Sequence, residues 1–202
     1  MNKTRNSSFW EKQLLFIDKL LSKLRFNQVL NNLDLNWKVI LDTWSWYNAY
    51  LLQYLVKNKY KNTTLIAYDL KLNKKLLHTQ WIETIEWDLN NWIILNTKVD
   101  IVFSTAIIEH LHNPELYIKT IYDTLNEKWF FILTTPTIYS KPILEFLAYN
   151  LKLIDKTEIL DHKKYYEYKT LIHLLSKSWF DTKKIRHKYF QFFMNNYCII
   201  EK

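Results

Sequence analysis

Residues 38–48 read KVILDTWSWYN. The first six form a short apolar run closing on an acid, the pattern of a strand buried on both faces. The next residues must turn and enter a helix expected over 49–57. They carry two tryptophans, Trp44 and Trp46. A tight turn of this kind asks for positive φ and no Cβ, which is what glycine provides. The 202-residue chain has no glycine and nine tryptophans, whereas glycine ordinarily makes up about 7% of a protein.

The same substitution recurs along the chain. Trp87 precedes an aspartate after a strand, Trp129 opens another strand, and Trp179 follows a helix at Ser178. Core aromatics should keep helix or strand periodicity, and these cluster at turns instead. Most of the tryptophans therefore stand where glycine belongs. Trp10 and Trp92 are the least diagnostic. UGA is read as Trp in some bacterial codes and as Gly in others, so a UGA glycine decoded as tryptophan leaves this trace. Deliberate Gly→Trp replacement leaves the same one. UGG at codons 44, 46, 87 and 129 would exclude the decoding origin.

Working outward, 9–33 reads as helical from Leu14, Leu15, Ile17, Leu20, Leu21, Leu24 and Phe26. Strands are expected at 64–68 ending at Asp69, 82–86 leading to Asp88, 99–104 and 129–134. Helices are expected at 71–78, from Pro114 to about 125, at 138–153 and at 168–176, with proline favoured in a first turn. Two late strands, 183–189 and 193–200, read as a hairpin. Strands alternating with helices predict an α/β fold. The expected architecture is a Rossmann-like doubly wound sheet, mostly parallel, with an antiparallel C-terminal hairpin and helices on both faces. Residues 1–36 form an N-terminal helical segment, and 37–202 the main domain, with an apolar lid-like insert near 138–165.

An apolar fraction of 49% suits one globular domain. No apolar run reaches the roughly 18 residues of a membrane span, and the polar start lacks a signal-peptide core. A single cysteine, Cys198, excludes an internal disulfide framework and fits the cytoplasm. The net charge of +8 comes with only three arginines and scattered lysines. That usage, with few alanines and much Lys, Asn, Ile and Tyr, reflects an AT-rich gene. No dedicated nucleic-acid surface is expected.

In sheets of this kind ligands bind at the carboxyl ends of the strands. Four strands here end in polar residues: Asp42 with Ser45, Asp69, Asp88, and Ser104 with Thr105. With glycine at 44 and 46, residues 39–48 become VILDTGSGYN. From about Trp37 to Lys202 the chain resembles class I S-adenosylmethionine-dependent methyltransferases of the small-domain type. Residues 39–46 resemble the first motif, although Asn48 replaces its third small residue. Asp69 stands 23 residues after Trp46, where the family places an acid on the ribose. Trp87-Asp88-Leu89 resembles the Gly-Asp-apolar step at the adenine. Residues 99–104 with Ile108-Glu109-His110-Leu111 resemble the fourth motif. Residues 126–130 resemble the turn before strand five, and Ser178-Trp179-Phe180 the late turn.

The resemblance implies S-adenosylmethionine as cofactor, held by Asp42, Trp44, Ser45, Trp46, Asp69, Leu70, Asp88, Leu89 and Thr105. It implies in-line methyl transfer, where alignment supplies most of the catalysis. Candidate bases are His110, Glu109, His112 and His162, with His110 and His162 as the catalytic candidates; His110 also suits an orienting role. No metal is implied. The absence of an Asn-Pro-Pro motif after strand four argues against adenine methylation. A small-molecule, lipid-linked or glycan acceptor, methylated on oxygen, is the expected substrate. Three other readings remain open. They are an RNA methyltransferase on this fold, a dinucleotide-binding oxidoreductase, and a non-catalytic protein whose cofactor site is blocked by genuine tryptophans.

Overall fold

The strand predicted at 38–43 is an interior strand, third from one edge, of a seven-stranded sheet in a computed structural model that describes residues 16–30, 33–58, 60, 62–91, 95, 97–154 and 156–202. Strand β1 (Val39–Asp42) lies between β2 (Thr64–Asp69) and β4 (Val99–Thr105), parallel to both. With β3 (Ile82–Glu86), β5 (Leu125–Pro136), β6 (Ile185–Phe190) and β7 (Asn195–Glu201), the order is β3-β2-β1-β4-β5-β7-β6. Only β7 runs against the other strands, pairing antiparallel with both β5 and β6; β6 and β7 form the expected hairpin. The topological switch falls between β1 and β4.

Adjacent side chains on each strand feed opposite cores, the consequence of period-two alternation. Leu41, Ile66, Val102 and Phe131 pack on one face against Tyr117, Ile118 and Ile121 of α4 (Pro114–Thr124) and Leu171 and Leu175 of α7 (Tyr168–Lys177). Ile40, Leu65, Phe103 and Ile132 pack on the other. There they meet Val29 of α1 (Phe16–Leu30), Leu51, Leu52 and Leu55 of α2 (Tyr50–Lys57), and Leu77 of α3 (Lys74–His78). Each such burial contributes about 1.5–3 kcal/mol. No helix among the described residues is long and apolar enough to cross a membrane.

Several boundaries differ from the sequence reading, each for a local reason. Helix α3 begins at Lys74 rather than at 71 because Asn73 caps it, accepting from the Leu76 N–H at 3.3 Å. Asn113 caps α4 in the same way at 3.0 Å, with Pro114 in the first turn. Strand β5 starts at Leu125, before Trp129. Its ladder with β4 pairs Val99 with Leu125 and resumes at Ile101 with Phe130, so 126–129 bulge out and Lys128 takes φ 65°. The turn expected at 126–130 is thus a bulge inside a longer strand. The stretch expected to be helical at 138–153 is α5 (Ser140–Glu145) followed by a π-turn (Phe146–Asn150). A further helix, α6 (Lys156–Asp161), was not expected. Trp10, Trp92 and the start of the 9–33 helix lie outside the described residues.

Twelve non-glycine residues in the described chain have positive φ, among them Trp37 (62°), Trp46 (58°), Trp81 (59°) and Trp179 (73°). Trp46 and Trp179 are turn positions read from the sequence; Trp37 and Trp81 are two more. Trp44, Trp87 and Trp129 lie outside the left-handed region.

Candidate functional site

The carboxyl ends of β1, β2 and β4 meet beside the switch point, and their polar residues knit three loops together. Ser45 Oγ donates to the Asp42 carbonyl at 2.7 Å and accepts from the Tyr68 N–H at 3.1 Å, fastening the first loop to β2. The Asp69 carboxylate accepts from the Trp46 N–H at 2.9 Å and from the Leu70 N–H at 2.7 Å. Thr43 Oγ1 lies 2.5 Å from the Tyr117 hydroxyl, which lies 2.7 Å from Ser104 Oγ. The first loop is therefore held from the β2, β4 and α4 sides at once.

Asp42, Ser45, Asp69, Leu89 and Thr105 are buried, and Leu70 is exposed. Asp42 Oδ1 has no hydrogen-bond partner among the described residues. Burial, and then the charge of Asp69, raise the Asp42 carboxyl to about 7, against hydrogen bonds from the Trp44 N–H and from Ser45. Asp88 stands past β3 and accepts from the Asn90 N–H at 2.9 Å, forming a turn. Asn90 Oδ1 in turn accepts from the His112 N–H at 3.0 Å. His112 is itself exposed, so its contribution here is to tie two loops.

The fourth-motif segment forms a 3₁₀ turn, Ile108–His110. Glu109 is buried and its Oε2 accepts from Thr135 Oγ1 at 2.9 Å. His110 is buried, with Nδ1 3.0 Å from Asp161 Oδ2. The Trp44 indole stacks on the His110 ring, 5.4 Å between centres and 15° between planes. The His162 ring meets His110 edge-on at 4.7 Å, and its Nδ1 lies 3.0 Å from the Tyr165 hydroxyl. Tyr165 stays a neutral phenol, pushed up to about 12 by burial and by the charges of Glu145 and Glu109. Lys163 Nζ donates to the His110 carbonyl. The structure thus brings the two candidate histidines together and adds Glu109, Asp161 and Tyr165 around them.

Two pockets adjoin at this point. A crevice of about 20 Å³ is lined by Asp42, Trp44, Ser45, Trp46 and Thr105. A larger pocket of about 90 Å³ is lined by Trp46, Ala106, Glu109, Ser140, Leu144 and His162, among others. Ser22 and Arg25 of α1 reach both. That covering role of the first helix had no signal in the sequence, because nothing in an amphipathic helix marks the loop it lies over. A water needs about 10–15 Å³, so the crevice has room for about one. The acids suit a cofactor of the implied kind: Asp42 offers a buried carboxylate oxygen for an ammonium group, and Asp69 stands at the end of β2 for ribose hydroxyls. The indoles of Trp44 and Trp46 do not suit it, because they line the space its methionine end would need.

No protein-family profile matches the chain, and no curated protein matches it. Solved structures do. An O-methyltransferase family protein from Burkholderia thailandensis aligns with 90% of this chain at TM-score 0.66 and 13% identity. Human N-acetylserotonin methyltransferase in complex with SAM aligns with 90% at 0.60 and 13%. This chain spans only 56% and 52% of those two chains. A SAM-dependent methyltransferase from Archaeoglobus fulgidus aligns over 91% of this chain and 94% of its own, at 0.65 and 13%. From the strand order to the paired final strands, this chain has the Rossmann-like fold that these methyltransferases share.

Proposed function

We propose that this chain, with glycine restored at its turn tryptophans, transfers a methyl group from S-adenosylmethionine to an oxygen of a small-molecule, lipid-linked or glycan acceptor. The observation that carries the reading is the cluster of Asp42, Ser45, Asp69 and Thr105 at adjoining strand ends, beside a second pocket walled by His162 and Glu109. The cofactor would supply a methyl group on a positively charged sulfur. Asp42 faces its ammonium group, Asp69 and Leu70 its ribose, and Asp88 and Leu89 its adenine. Thr105 and the 44–46 loop flank the methionine end. The acceptor enters the larger pocket beneath a lid formed by 138–165, from which Ser140, Leu144, Ile154 and Ile159 reach inward. His162 lies against the acceptor hydroxyl and draws off its proton; His110 is fixed behind it by Asp161.

Trp44, Trp46, Trp87, Trp129 and Trp179 are glycine in this reading. Its support is the left-handed backbone of Trp46 and Trp179 and the position of the Trp44 indole in the crevice. Buried Cys198 suits a reducing compartment, and we place the reaction in the cytoplasm.

Calorimetric titration of S-adenosylmethionine into two proteins tests this: the chain as written, and one carrying glycine at 44, 46, 87 and 129. Micromolar binding is expected only in the second. Tight binding by the chain as written would refute the steric account, and no binding by either would refute the methyl-transfer reading.

A further inference from the structure

We propose that Glu109, His110 and His162 form a site for a divalent first-row transition ion, on the wall between the crevice and the larger pocket. One ligand atom from each residue lies within 4.8 Å of the other two. Ligands sharing one ion at about 2.0–2.2 Å lie roughly 3–3.5 Å apart, so side-chain shifts of about 1 Å close the set.

The surroundings match what a metal site requires beyond its ligands. A ligating imidazole ordinarily donates its other ring N–H to a carboxylate, carbonyl or water. His110 has Asp161 at Nδ1, and His162 has the Tyr165 hydroxyl at Nδ1, each at 3.0 Å. Both arrangements assign Nε2 to the ion. Glu109 is oriented by Thr135 through Oε2, which assigns Oε1. Of the cations near the site, Lys163 bonds the His110 carbonyl and lies 3.8 Å from Asp161, and Arg25 lines the larger pocket with Glu109 and His162. Two imidazoles and one carboxylate are a borderline donor set that suits zinc, manganese or iron better than magnesium or calcium.

Glu109 and His162 both line the larger pocket, so the ion's remaining positions open onto the space assigned to the acceptor. This step rests on the methyl-transfer reading above. The favoured acceptor is a hydroxyl able to enter one of those positions. Binding to the ion acidifies that hydroxyl. Its O–H bond breaks with the proton passing to water in the pocket; the new C–O bond forms as the methyl's C–S bond breaks, leaving a neutral thioether. Nothing is oxidised or reduced. With the ion bound, His162 is a ligand and no longer the base.

The test is metal binding by the full chain, measured without S-adenosylmethionine. After chelator treatment, the chain is titrated with zinc and with cobalt(II) as a visible-light probe. One ion per chain is expected, with cobalt ligand-field bands in the visible. Glu109→Gln and His162→Ala should each abolish the bands, and Tyr165→Phe should weaken binding by about tenfold; circular dichroism checks that the variants are folded. No stoichiometric ion, or bands unchanged in His162→Ala, would overturn the site. Because this readout contains no cofactor, an ion that binds while the glycine-restored chain ignores S-adenosylmethionine sinks the methyl-transfer reading and leaves the metal site standing.

Discussion

Trp81 gives the cleanest measure of whether a tryptophan occupies a glycine position. It follows α3, its N–H donates to the His78 carbonyl at 3.1 Å, and its φ is 59°. That is the left-handed residue with which many helices end, usually glycine. The indole is 91% exposed, so removing it forfeits almost no packing. A residue with a Cβ pays about 1–2 kcal/mol in this region. Glycine avoids that cost but gives back about 0.5–1 kcal/mol through the freer unfolded chain. Trp81→Ala keeps the Cβ and should leave stability near the parent's. Trp81→Gly should exceed Trp81→Ala by about 1 kcal/mol, or about 2–4 °C in Tm for a chain of this length. Urea unfolding followed by circular dichroism, with matching m values, measures the difference. An alanine variant as stable as the glycine one would refute the backbone argument.

Asp42 should make the fold less stable as pH rises. Its folded carboxyl titrates near 7, while in the unfolded chain it titrates near the ordinary 3.8. Between those values the unfolded state has lost the proton and the folded state keeps it, so stability falls by about 1.4 kcal/mol per pH unit and levels off above about pH 7. Asp42→Asn should therefore gain on the parent by about 3 kcal/mol between about pH 5 and about pH 8 in urea unfolding; a pH-independent difference would contradict this. Tyr117→Phe removes the hydroxyl shared by Thr43 and Ser104 inside the core. It should cost about 1–3 kcal/mol, and a variant as stable as its parent would show that those hydroxyls find other partners.

The parallel strands were legible because burial on both faces makes them continuous apolar runs, as in 64–69 and 99–105, and because their polar ends interrupt those runs. That is why Asp42, Asp69 and Thr105 could be placed at strand ends, where the structure has them. Less visible were partners made only by folding. His110 and Asp161 are 51 residues apart in sequence, and no local period links them. Nor does any local period link the α1 cover, with Ser22 and Arg25, to the strand ends it shields. Helix α6 is six residues long, too short for periodicity to mark. Trp37 and Trp81 were passed over because their flanking turns lie outside the motifs that drew attention to the other tryptophans.

The carboxylate of Asp69 holds the N–H groups of Trp46 and Leu70 at once, and its own carbonyl accepts from the Trp87 N–H at 2.9 Å. Three successive crossover loops are thereby fastened to one residue. They should breathe as a single body, so that prying open the first loop to admit a ligand drags the other two. Hydrogen–deuterium exchange at these three amides should then share one opening rate, and loss of this side chain should uncouple the loops before it unfolds the sheet.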